Sequence, residues 1–239
     1  MLTRLTPRLV PKVWGSKHLE PWFPDASEKI GEVWFEAAEP LPLLVKFLFT
    51  TEALSVQVHP EGKTEMWHIL AADPGAKIAA GFREPITEER LRASALSGEI
   101  EDLLQWFEAR PGDTFFIPAG TVHAIGAGLT LCEIQQHSDI TYRLFDYGRP
   151  RELHLDEGAR VSELGPHAAR SAREGVLVSC AFFTTEKLRV DDRVSRNARM
   201  VILLDGTLKI DGQTALAGEV WYTDEAIELA GEATVLLVH

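Results

Sequence analysis

Cysteine is nearly absent: Cys132 and Cys180 are the only two in 239 residues, and neither stands in a metal-like pair. This excludes a disulfide scaffold and a thiolate-bound cluster, and a reduced, cytoplasmic protein is the simplest account. Positive charge is scarce as well, with 24 Lys and Arg against 36 Asp and Glu for a net charge of -12. Nucleic acids and anionic membranes are recognised through clustered cations, so neither is an expected partner. A small anionic substrate is still allowed, because a few placed cations suffice locally. No stretch approaches the roughly twenty apolar residues of a membrane span, and no charged N-terminal segment leads into an apolar run with a cleavage site. Export is not expected. There is no internal repeat, no low-complexity tract and no GxGxxG, GKS or GxSxG, which leaves nucleotide-dependent and serine-hydrolase chemistries without support. A hydrophobic share of 45% with 25% charged residues is that of an ordinary globular chain, long enough for one large or two small domains.

The most informative stretch is Ser55 to Trp67, SVQVHPEGKTEMW. Gln57 and His59 alternate with Val56 and Val58, so a strand would project both from one face. Past a His-Pro-Glu-Gly turn, Glu65 opens a run that can return antiparallel and bring a carboxylate to the same place. Far downstream, GDTFFIPAGTVH presents His123. Together Gln57, His59, Glu65 and His123 form a mixed N/O donor set with room for water or substrate, the pattern of a catalytic divalent metal rather than a closed structural one. Taken singly, each is as readily a structural residue; the combined spacing is what favours a site. His18, His154, His167 and His239 lack ligand-like neighbours. His68 falls on the strand face opposite Glu65 and stays outside the set.

The spacing of Gly112, Pro118, Gly120 and His123 resembles the second motif of the cupins, and Gln57-x-His59 followed by Glu65 resembles their first. More narrowly, SVQVHP, GKTEMWHI, PAGTVHAIG and EIQQHSDITYRLFD resemble the signature blocks of type I mannose-6-phosphate isomerases. The likeness is dense from about Trp14 to Arg149 and thin afterwards. It implies a mostly β fold of cupin-type (jelly-roll) β-barrels in a bicupin arrangement, one zinc ion per chain or another divalent metal, and a small phosphorylated sugar as substrate. The implied reaction interconverts mannose 6-phosphate and fructose 6-phosphate through an enediol. Lys63, Glu133, Asp139 and Arg143 are then the acid-base and polarising group, and Lys46, Ser55 and Trp14 the substrate and phosphate contacts. The residues alone leave blander readings beside these. Lys46 amid LLVKFLF must snorkel to water or meet an anion, Trp14 can be a packed aromatic, Lys63 a solvated turn lysine, and Arg143 the ion-pair partner of Asp139 or Glu133. Two departures from the family pattern stand out: a shorter turn between His59 and Glu65, and Ile125 where a tyrosine is common. An iron- or manganese-dependent cupin oxygenase and a non-catalytic sugar-binding cupin are the competing functions.

Along the rest of the chain, four prolines before residue 25 suit an extended, wrapping segment. Residues 86–107 carry leucines at helical intervals with a break at Gly98, the expected helical insert. Residues 1–165 form the expected metal-binding domain. Residues 166–239 form a degenerate second β-barrel, with Asp205-Gly206 and Asp211-Gly212 as hairpin turns. A monomer or homodimer is expected.

Overall fold

The computed structural model describes residues 1–239. Strands dominate, and three antiparallel sheets are stacked with a thin helical layer on one side. The middle sheet runs in the order Thr6–Ser16, Ile30–Glu36, Leu43–Thr50, Leu129–Gln136, Glu65–Ala72, Thr114–Ile117. A five-stranded sheet runs Tyr142–Phe145, Val56–Val58, His123–Ile125, Lys77–Phe82, Leu104–Glu108. The third, of eight strands, takes Thr3–Arg4 from the N-terminus and the rest from residues 175–238.

The layering follows from side-chain alternation in strands buried on both faces. Leu43–Thr50 is buried along its whole length. Val45, Phe47 and Phe49 point one way with Cys132 and Ile134, into a core closed by Leu177, Met200, Ile202, Leu236 and Val238. Leu48, Leu129 and Leu131 point the other way and meet Ile78, Ala80 and Ile125 of the five-stranded sheet. That sheet covers its outer face with Leu91, Ala95, Ile100 and Ala159 of the helices, which pack on Val56, Val58 and Ala124. Each such large side chain contributes about 1.5–3 kcal/mol when fully buried. Residues 175–238 thus share one core with the middle sheet.

The mostly β fold with a small helical part is as expected, its sheets stacked and their edge strands unpaired across, so that no barrel is closed. Two local expectations need correction. The helical stretch is shorter than 86–107: helices span Glu88–Ser97 and Ile100–Leu103, and Leu104–Glu108 is a strand paired with Lys77–Phe82. The break does fall at Gly98, whose φ of 88° lets it close the first helix, while Thr87 caps the other end by accepting from the Arg90 amide. Lastly, Asp205-Gly206 is not a turn. Met200–Ile210 is one continuous strand bent there by a register shift, and a Cβ on Gly206 would lie 2.2 Å from the Glu232 carbonyl oxygen. Tertiary packing on both sides of the bend overrides the local turn signal. Asp211-Gly212 does close a hairpin, joining Ile210 to Gln213. No helix is long and apolar enough to cross a membrane.

Candidate active site

Between the five- and six-stranded sheets lies a cavity of about 360 Å³. Strand pairing, rather than proximity in sequence, assembles its walls. On one side Gln57 stands directly opposite His123 and, across its other neighbour, opposite Arg143. On the other side a cross-strand row runs Trp34, Lys46, Glu133, Trp67, and two residues further Gln135 opposes Glu65. The same alternation that sends Val45 and Ile134 into the core sends Lys46 and Glu133 into the cavity.

Three donors converge on one point. His59 Nδ1–H donates to the Ile140 carbonyl at 3.0 Å and His123 Nδ1–H to the Thr121 carbonyl at 2.8 Å. A carbonyl only accepts, so each ring keeps its lone pair on Nε2. Both Nε2 atoms face Glu65, at 3.4 Å from Oε2 and 3.6 Å from Oε1. Burial pushes His59 down to about 4 and lowers His123 too, so both imidazoles are neutral at pH 7. Burial alone would raise Glu65; with both imidazoles neutral and turning lone pairs toward it, the positive charge that favours its carboxylate form is the Lys63 ammonium. The result is a buried carboxylate whose two oxygens have no hydrogen-bond partner. Such an anion costs several kcal/mol unless a cation sits with it. Donors about 2.1 Å from a zinc ion at tetrahedral angles stand about 3.4 Å apart, close to the separations found. The Gln57 amide is 3.2 Å from His123 Nε2 and its oxygen accepts from Ser55 Oγ at 3.0 Å. Turned over, it offers that oxygen to the same point while Ser55 accepts instead. Gln57, His59, Glu65 and His123 therefore fit a divalent cation.

Beside this set, Lys46 Nζ donates to Glu133 Oε1 at 2.9 Å and to Gln135 Oε1, and lies 4.8 Å from the Trp34 ring centroid. Glu133 Oε2 accepts from Trp67 Nε1 at 3.0 Å. Burial disfavours the Lys46 charge, yet Glu133 and Glu32 raise it and it stays an ammonium. The anion that this buried lysine meets is a protein carboxylate.

No protein-family model matches the chain. Among curated proteins, the mannose-6-phosphate isomerase of Streptococcus mutans is 36% identical over 203 residues, which cover 74% of this chain and 64% of that protein. The probable mannose-6-phosphate isomerase GmuF of Bacillus subtilis is 31% identical over 226 residues, covering 80% of this chain and 71% of that one. The chain belongs to the mannose-6-phosphate isomerase family. It spans slightly less than two thirds of the length of the S. mutans relative. The fold is that of the solved mannose 6-phosphate isomerase of B. subtilis, with a TM-score of 0.85 at 24% identity over 99% of this chain and 98% of that one. A zinc-bound mannose 6-phosphate isomerase shares it at 0.76 and 16% identity, covering 100% and 99%.

In this member of the mannose-6-phosphate isomerase family, the remaining predicted residues also line the cavity. Trp14 is buried in its wall, and Ser55 sits beside Gln57. Lys63 Nζ donates to Thr141 Oγ1 at 3.2 Å, and burial lowers its pKa. Asp139 and Arg143 face the cavity without pairing with each other; Arg143 Nε donates to the Glu152 carbonyl at 3.0 Å. Ile125 supplies an apolar wall. Sequence reasoning missed Lys12, Glu32, Trp34, Arg151 and His154, which line the mouth. Trp34 Nε1 donates to Glu32 at 2.8 Å, and Lys12 lies 3.3 Å from the same carboxylate. The alternation of Glu32 and Trp34 against Val33 and Phe35 was the available signal; it lacked only the pairing of their strand with the one bearing Lys46. His68 turns away, its Nδ1 against Thr114 Oγ1 at 2.9 Å.

Proposed function

We propose that the chain is a metal-dependent aldose-ketose isomerase interconverting mannose 6-phosphate and fructose 6-phosphate. The observation that carries this reading is the buried Glu65 carboxylate, unpartnered between two imidazole lone pairs in a cavity of sugar size. Gln57, His59, Glu65 and His123 hold the cation, and the chemistry of the set suits zinc. When bound, the cation polarises sugar oxygens and offsets the charge that builds on an enediolate.

The rest falls to the protein. Lys46 is already engaged by Glu133 and Gln135, so the phosphate is assigned to the mouth instead, where Arg143 has unengaged guanidinium N–H groups, while Arg151 and Lys12 are paired with Asp146 and Glu32. Glu133, fixed by Lys46 and Trp67, orients sugar hydroxyls in a defined direction. Lys63 is the group best placed to move the proton between adjacent carbons, because its Nζ is tied to a hydroxyl and to no carboxylate. Asp139 accepts from the open-chain sugar. The apolar wall of Trp14, Leu54 and Ile125 keeps water from the reacting carbons. Residues 166–239 serve as a supporting unit. A cytoplasmic setting agrees with two free thiols.

A coupled assay with mannose 6-phosphate tests the reading. Chelated protein is expected to be inactive and to regain turnover on addition of one equivalent of zinc. Oxygen uptake without sugar-phosphate turnover would assign the site to an oxygenase, and tight sugar binding without turnover to a sensor.

A further inference from the structure

The turn from Gln136 to Thr141 touches the site at three consecutive residues. Asp139 lines the cavity, the Ile140 carbonyl takes the Nδ1 proton of His59, and Thr141 Oγ1 accepts from Lys63 at 3.2 Å. That last contact is the only hydrogen bond to the Lys63 ammonium, and no carboxylate lies within ion-pair distance of it.

The turn is itself held from inside. Gln135 is fully buried, and its amide nitrogen donates to the carbonyls of Gln136 at 2.8 Å and Ser138 at 2.6 Å. Its amide oxygen accepts from Lys46, which fixes the amide orientation, since the reverse would turn an NH2 toward an ammonium. The Thr64 amide donates to Gln136 Oε1 at 2.9 Å, tying the turn to the residue beside Lys63. Ile140 N–H donates to Ser138 Oγ at 3.3 Å.

We infer that Thr141 is a positioning residue for Lys63. A lysine is a point charge on a flexible stem, and Glu65, two residues along, offers two unpartnered oxygens in the same cavity. Without the Thr141 hydroxyl, Lys63 is free to swing onto Glu65 and leave the reacting face of the cavity. With it, the ammonium is held by a neutral acceptor that competes with neither the cation nor the substrate. The buried Gln135 transmits this placement, so the Lys46 side of the cavity and the Lys63 side are set by one amide. The inference rests on the isomerase reading for its kinetic consequence, but the placement of Lys63 is measurable without it.

Thr141→Val and Thr141→Ser are the test, because the first keeps shape and removes the hydroxyl while the second restores it. Loss of one such bond at the reacting group predicts kcat lower by about tenfold in Thr141→Val, with KM and zinc content within about twofold. Thr141→Ser recovers most of the rate. In protein labelled with 13C-lysine, the Lys63 side-chain resonance, assigned with Lys63→Arg, moves in Thr141→Val and returns in Thr141→Ser. An unmoved resonance in Thr141→Val overturns the inference, as does a Thr141→Ser variant that stays as slow as Thr141→Val. Inactive wild-type protein with a moving resonance would overturn the isomerase reading alone.

Discussion

Two carboxylates in this molecule are equally buried and differently provided for. Asp113, 1% exposed, accepts from Arg170 at 3.0 Å and from the Arg110 amide at 3.1 Å, and forms an ion pair with Arg173 at 3.1 Å. Glu65, also 1% exposed, accepts nothing. The first is a latch that fastens the connector after residue 165 to the edge of the middle sheet; its charge is fully answered by the protein. The second is anionic without protein donors, and only an added cation completes it. Burial alone therefore does not mark function. A buried charge left unanswered by its own chain does.

That contrast can be broken by mutation. Glu65→Gln should reduce zinc affinity by roughly 100-fold or more, with turnover falling in step. Because a buried anion is removed, the metal-free protein should be as stable as the parent or more so. Asp113→Asn should do the reverse: metal content and KM unchanged, and unfolding free energy lower by about 2–3 kcal/mol, read from urea melts. The figure is at the low end for a buried pair, because Arg170 and Arg173 are half exposed and rehydrate once released.

His68 sits beside this latch, and burial, followed by the nearby Lys187, pushes it down to about 4 from an ordinary 6.5. A histidine lowered in the folded state binds its proton more readily when unfolded. Its contribution is therefore complete above pH 6.5 and is lost as the pH falls toward 4. Between pH 6.5 and 4.5 this amounts to about 2 kcal/mol, which His68→Gln should remove from the pH dependence of the melt. A result in which Glu65→Gln, rather than His68→Gln, flattens that profile in the zinc-loaded protein would reverse the assignment of the two regions. Arg173→Ala is the mildest change, about 0.5–1 kcal/mol, since Arg170 still answers Asp113 and the removed side chain is largely in water.

Much of the donor set could be seen in the chain itself. A period of two placed Gln57 with His59, whereas Lys46 and Glu133 stood out as charges within strands that carry core on both faces. Lys12, Glu32 and Trp34 could not be seen that way, since they reach the cavity through pairing between distant strands, and Arg151 and His154 reach it from the irregular segment after Tyr142–Phe145. His154 looked isolated because its nearest relevant neighbour is Arg143, whose amide donates to its ring nitrogen at 3.3 Å. The fate of Lys46 was half legible: an apolar strand demands a counter-charge, but the choice of Glu133 depends on register. Asp205-Gly206 misled for the opposite reason. Its local preference is for a turn, and the bend it makes instead is set by the sheets on either side of it.

The shared core behind the middle sheet has a temporal side. A chain halted on the ribosome at residue 165 would already contain Gln57, His59, Glu65 and His123, yet Val45, Phe47, Phe49 and Ile134 would still face solvent, because Met200, Ile202, Leu236 and Val238 had yet to emerge. Folding of the part that carries Gln57, His59, Glu65 and His123 thus waits on the strand Ala226–Val238, and a nascent fragment holding those four residues would present a sticky surface for chaperones to shield.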